Sequence, residues 1–126
     1  MTETEKVVRE FWRLMNTNDF YSVSAVLAPG FILEWPQSGE RIRGYKNFAA
    51  VNSEYPAHGL WKFTINTIAA GLGVVATDVS VTDGAICARV LSFFTVGDRK
   101  ITRVTEFWPD PFPAPENRKH LVEKIK

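Results

Sequence analysis

From Leu60 to Trp108 the chain runs as apolar-rich segments with marked alternation, as around Trp61, Phe63 and Ile65, separated at Gly71–Gly73, at Asp83-Gly84 and at Gly97–Lys100. Successive residues of a strand send their side chains to opposite faces, so such alternation points to sequential antiparallel strands. The predicted strands are 60–70, 74–82, 86–96 and 101–108. Asp83-Gly84 is the strongest local turn signal, the dipeptide that a two-residue type I′ hairpin favours. The last strand runs into Pro109, Pro111, Pro113 and Pro115, which lack the N–H a ladder needs and end the sheet.

Ahead of the sheet the period changes. Thr2 followed by Glu5 matches a capping box, and Val7, Val8, Phe11, Trp12, Leu14 and Met15 recur at helical spacing. After the polar break Asn16–Asp19, a second helix is expected with Phe20, Val23, Val26 and Leu27 inward, stopped by Pro29 and Gly30. Phe31–Trp35 reads as a short strand closed by Pro36, Ser38 and Gly39. Gly44 then opens a third helix with Tyr45, Phe48, Asn52 and Tyr55 on one stripe, ended by Pro56. Pro115 suits the first turn of a last helix over Glu116–Ile125. Three N-terminal helices followed by a meander give the α+β class in one domain, 1–126: a helical part with a short strand (1–56), the meander (60–108), and a proline-rich tail with its helix (109–126).

Composition narrows the function classes. A chain of 126 residues, 45% hydrophobic and 23% charged, has room for one core and not for two. Fifteen basic residues against fourteen acidic ones give a net charge of +1 with no long basic run, so neither nucleic acid nor an anionic membrane surface is expected as a partner. The single cysteine, Cys87, forms no internal disulfide and is expected as small core filler. The opening residues lack the apolar run of a secretory signal, and no segment of about 20 apolar residues could span a bilayer, so the cytoplasm is the expected compartment. His58 and His120 lack metal-site spacing, so no metal and no cofactor is expected; His58 is placed in a loop, at most on a pocket rim.

Pairing the strands turns this outline into a candidate site. A two-residue turn at Asp83-Gly84 sets Thr82 opposite Ala85 and Asp78 opposite Arg89. Closing the next turn with Val96 opposite Ile101 sets Phe93 by Val104, Leu91 by Glu106 and Arg89 by Trp108. One face then carries Asp78, Arg89, Leu91, Phe93, Val104, Glu106 and Trp108; the other carries Val75, Val79, Val81, Ile86, Val90, Phe94, Arg103 and Phe107. An arginine between two carboxylates suits acid/base chemistry, one carboxyl holding a proton while the other accepts one. The bland alternative for Asp78 and Arg89 is a cross-strand ion pair. Glu106 sits between apolar Val104 and Trp108, where a carboxylate is costly without a purpose. The candidate catalytic residues are therefore Glu106, Asp78 and Arg89, with Asp110 a poorer one past the strand. Trp108, Trp35, Tyr45, Phe48, Trp61, Phe93 and Phe11 are the candidate ligand contacts, although most aromatics of such a chain belong to its core. Helices can cover only one side of the sheet, so the second apolar side is expected to face another copy. Phe112 and the proline tail are expected to pack over the subunit surface or the pocket mouth.

With these elements in order, the chain resembles the nuclear-transport-factor-2-like superfamily, and particularly its SnoaL-like branch. The resemblance rests on L-M-N-T-N-D at Leu14–Asp19, I-L-E-W-P at Ile32–Pro36 and I-T-R-V-T-E-F-W-P-D at Ile101–Asp110. It implies a curved sheet wrapped round helices into a cone with an apolar pocket, usually in a dimer. Such proteins include ketosteroid isomerases, limonene-epoxide hydrolases, polyketide cyclases and silent binding domains, so the fold leaves the function open. Trp35 stands where the isomerases keep their general-base Asp, Phe11 where they keep a Tyr, and Val90–Phe94 holds no acid. Steroid isomerisation is thus not expected. Glu106, Phe107 and Trp108 match the isomerases' pocket-lining A-Y-W segment, which turns Glu106 and Trp108 inward. The epoxide hydrolases' Asp-Arg-Asp set is similar to Asp78, Arg89 and Glu106 in chemical type only, and the cyclases' pocket acid is nearest to Glu106. The resulting expectation is a small-molecule pocket protein for an apolar or aromatic compound, either a cofactor-independent acid/base enzyme of the cyclase, dehydratase or hydrolase type or a non-catalytic binding or dimeric interaction module.

Overall fold

The computed structural model describes residues 2–125. Helix α1 (Glu3–Met15) starts at Thr2, whose hydroxyl accepts from the Glu5 N–H, and it buries Val7, Val8, Phe11, Trp12, Leu14 and Met15. A 3-10 helix over Phe20–Val26 follows, then β1 (Leu27–Trp35), β2 (Glu40–Arg43), α2 (Gly44–Glu54) and the meander β3 (Lys62–Ala70), β4 (Val74–Thr82), β5 (Cys87–Gly97) and β6 (Lys100–Phe107). The six strands form one curved, mostly antiparallel sheet in the order β2-β1-β6-β5-β4-β3, with β1 parallel to β6. The α+β expectation holds. No helix among the described residues is long and apolar enough to cross a membrane.

Several local expectations are corrected. The second helix is a 3-10 segment, and Pro29-Gly30 does not stop the chain before a strand but lies within β1, where the β1–β6 register shifts between Leu27 and Ile32. Proline is tolerated there because the ladder is already interrupted. Strand β2 has no counterpart among the expected strands: of its residues only Ile42 is buried, so it lacks an apolar signal and pairs as a charged edge. The last helix shrinks to a 3-10 turn over Glu116–Leu121, and Phe112 is 75% exposed instead of packed.

The two hairpins decide which side chains share a face. Thr82 pairs with Cys87, not Ala85, because the β4–β5 connection is a four-residue loop. Asp83 folds into that loop: one carboxylate oxygen accepts from the N–H groups of Ala85 and Ile86, each at 2.9 Å, so the dipeptide caps a wider turn. The shift of two keeps every face, and Asp78 still reaches Arg89 diagonally, with contacts of 2.7 and 2.5 Å. Cys87, however, ends on the outer face, exposed. The two-residue reversal occurs instead at Asp98-Arg99, both in the left-handed region at φ 51° and 60°, with Gly97 paired to Lys100.

Val96 pairs with Ile101 as expected, but Thr95 pairs with Arg103, which makes Thr102 a surplus residue in β6. A slip of one reverses every face. Val104 and Glu106 therefore lie with Val75, Thr77, Val79, Val90, Ser92 and Phe94 against the helices, all of them buried. Asp78, Arg89, Leu91, Phe93 and Phe107 point the other way. In the core, Phe11 meets Phe94 and Phe48 at ring distances of 5.0 and 5.9 Å, and Trp12 Nε1–H donates to Thr77 Oγ1.

The turn after α1 holds the sheet's far edge. Asn16 exchanges two hydrogen bonds with the Phe63 backbone, at 2.9 and 2.7 Å, and Asn18 two with Trp61, both at 2.8 Å. Each side-chain amide stands in for a neighbouring strand and so fixes where Trp61 and Phe63 sit.

Candidate functional site

A cavity of about 450 Å³ opens between the β1–β2 hairpin, α2 and the β4–β5 end of the sheet. Trp35 from β1, Trp61 and Phe63 at the start of β3, Tyr55 after α2 and Trp108 just past β6 form its aromatic wall. Val51, Val81, Ile86 and Ala88 add aliphatic surface, and Gln37, Ser38, Glu40, Asn52 and Asp110 are the polar groups. That size and mixture suit a small organic molecule. A second hollow of about 400 Å³ at the β1–β2 hairpin is lined by Glu34, Trp35, Pro36, Gly39, Glu40 and Arg41, with Trp35 and Pro36 its apolar side chains.

Glu106 lies behind this wall. Its side chain is buried and is not among the lining residues; one oxygen accepts from Trp35 Nε1–H at 3.1 Å and the other contacts Ser92 Oγ at 2.9 Å. Burial pushes its pKa up, and hydrogen bonds from Trp35, Ser92 and Trp108 offset part of that rise. The Ser92 hydroxyl can turn to donate to a carboxylate or accept from a carboxylic acid, so the network is satisfied in either protonation state. Alternation along β6 sends Glu106 and Trp108 to one side, as expected. The carboxyl group holds the Trp35 indole, and Trp35 and Trp108 both line the cavity.

The sequence-derived candidates separate accordingly. Trp35, Trp61 and Trp108 line the cavity. Phe11 and Phe48 are fully packed core, Tyr45 lies at the surface, and Phe93 is 46% exposed on the outer face. Asp78 and Arg89 form an ion pair on that same outer face, so the expected three-charge set with Glu106 is not assembled. The Arg89 guanidinium holds the Asp78 carboxyl below its ordinary pKa. Tyr55 and Asn52 belong to a helical stripe legible in the sequence, whereas Gln37, Glu40 and Ile86 carry no signal because turn residues reach the site only through the fold. His58 lies off the lining, its backbone N–H and ring Nδ1 both on the buried Asp83 carboxylate at 2.8 and 3.0 Å. No cluster of three or more metal-ligating side chains occurs among the described residues.

The model of the SnoaL-like domain matches residues 8–104, over three quarters of the chain. The chain belongs to the SnoaL-like domain family. Among solved structures, this SnoaL-like domain is similar to a protein of Kribbella flavida DSM 17836 provisionally described as a ketosteroid isomerase, at 32% identity over 98% of this chain and 90% of that one, with a TM-score of 0.89. An NTF-2 like protein of unknown function from Burkholderia xenovorans LB400 follows at 26% identity and TM-score 0.79, covering 98% and 96%. An LEH-like epoxide hydrolase of M. tuberculosis shares the fold at 23% identity and TM-score 0.68, covering 85% and 83%. No curated protein matches the chain.

Proposed function

We propose that this SnoaL-like domain is a small-molecule-binding protein that holds an apolar or aromatic compound in the cavity walled by Trp35, Trp61 and Trp108. The observation that carries this reading is the aromatic lining of a roughly 450 Å³ space whose polar groups are few and gathered on the loops and the tail. The geometry favours binding over acid/base catalysis by Glu106, because both carboxyl oxygens are engaged behind the indoles. A catalytic reading keeps one supporting feature, the raised pKa of Glu106, which suits a general acid. Steroid isomerisation fits poorly: the aligned positions hold Trp35 and Phe11, and the polar inner residue of β5 is Ser92. No cofactor enters this reading, and the cytoplasm is the compartment it fits.

Because three of the chain's four tryptophans line the cavity, indole fluorescence reports occupancy directly. Titration with 2-naphthol as the probe is expected to quench emission saturably at one molecule per chain, and Trp108→Ala to weaken binding about tenfold or more. Unsaturable quenching that Trp108→Ala leaves unchanged would remove the reading.

We also propose that a second copy covers the outer sheet face. Leu91, Phe93 and Phe107 form an apolar strip there, the two phenyl rings edge-on at 6.3 Å, flanked by the Asp78–Arg89 pair and by Glu34 paired to Arg41 and Arg103. Light scattering is expected to give twice the chain mass for the parent and a single chain mass for Phe93→Glu; a monomeric parent would rule the interface out.

A further inference from the structure

The charge and hydrogen-bonding character of the cavity narrows what it can hold. Its two ionisable carboxyl side chains are Glu40 and Asp110, and no Lys, Arg or His lines it. The Trp35 indole N–H donates to Glu106 at 3.1 Å, outside the lining, so that donor is turned away from the space its ring borders. Other donors are also engaged: Asn52 Nδ2 donates to the Phe48 carbonyl at 2.8 Å, and Ser38 Oγ–H to Glu40 at 2.5 Å. An anion entering here would lose water and meet no cationic side chain in exchange, only neutral donors such as those of Gln37, Tyr55 and Trp61, and two carboxylates would repel it. A cation would find π faces of negative potential and two carboxylates.

We propose that the cavity takes an organic cation, a substituted amine or quaternary ammonium carrying an apolar or aromatic group. This inference rests on the reading of the cavity as a ligand site and names the class of its ligand. The indoles and Tyr55 supply the cation–π surface, and Glu40 and Asp110 supply long-range attraction. Glu106 has an indirect part, since by accepting the Trp35 indole N–H it keeps that donor away from the ligand.

Matched probes test the charge separately from the fit. Calorimetric titration of the full chain with benzyltrimethylammonium is expected to give roughly tenfold tighter binding than with its neutral isostere neopentylbenzene, and phenylacetate should bind weakest. Added salt should weaken the cation alone. In the double variant Glu40→Gln/Asp110→Asn the cation's advantage is expected to fall to about threefold, measured against neopentylbenzene as the reference. Equal affinity for the isostere, or tighter binding of phenylacetate, overturns the cation assignment while the cavity stands as a ligand site. Failure of all three probes with 2-naphthol still bound overturns it in the same way. If 2-naphthol also fails to bind, both this inference and the function proposed above fall.

Discussion

Glu106→Ala is expected to lower folding stability by about 2–4 kcal/mol, measured as a reduced urea midpoint with an unchanged slope. The substitution leaves a void between β5 and β6 and strips Trp35 Nε1–H and Ser92 Oγ of their partner. A buried donor without an acceptor costs more than the hydrogen bond contributed while it was made. Glu106→Gln keeps the volume and an acceptor oxygen for Trp35, so it should cost much less. The two variants separate further with pH. The folded-state pKa of Glu106 lies above its unfolded value, so its contribution is fully present below the ordinary carboxylate range and is lost as pH rises through the raised folded value. Between the two values each pH unit removes up to about 1.4 kcal/mol. The parent should therefore lose stability from pH 4.5 upward, with Glu106→Gln flat over the same window. Parallel profiles for the parent and Glu106→Gln would mean that the acid is solvated, and the arrangement of the indoles would need another explanation.

Asp83→Ala is the second large effect, on the order of 10 °C in Tm. Its carboxylate accepts from the backbone N–H groups of Ala85 and Ile86 and, through the other oxygen, from the His58 N–H, tying the segment after α2 to the β4–β5 loop. These hydrogen bonds, led by Ile86, hold the Asp83 pKa well below its ordinary value. The sign is opposite to that of Glu106: the stabilisation is present above the ordinary Asp range and is lost as pH falls through it toward the depressed value. Asp83→Asn preserves the acceptor for Ala85 and Ile86 but presents an amide to His58, so it should recover part of the Tm and remove the acid limb. An acid limb as steep in Asp83→Asn as in the parent would shift that role to another carboxylate. Since Tyr55, Trp61 and Ile86 flank this tie and line the cavity, Asp83→Ala should also weaken 2-naphthol binding.

How far the sequence can be read depends on whether an error of register is even or odd. The turn expected at Asp83-Gly84 differs by two residues from the one that forms, yet Val75, Val79, Val90 and Phe94 still share one face, because a shift of two preserves the pleat. The expected β5–β6 pairing is right at Val96 and Ile101 and off by one beyond them, and that single step moves Asp78 and Arg89 away from Glu106. Nothing in I-T-R-V-T-E-F-W marks Thr102 as surplus, since threonine pairs as readily in a regular ladder. The inward turn of Glu106 and Trp108 needs only their own strand's alternation and is legible without any partner. That indoles screen the acid from the cavity is not legible, because it depends on Trp35 arriving from a strand 71 residues earlier, a separation no local pattern encodes.

The amides of Asn16 and Asn18 have a consequence beyond the placement of two aromatic residues. They occupy the backbone of β3 where an incoming strand would start to add, and a bulge at Asn66 then breaks the spacing that such a strand would have to follow. Growth of the sheet from this side into an open-ended fibre is opposed at its first step.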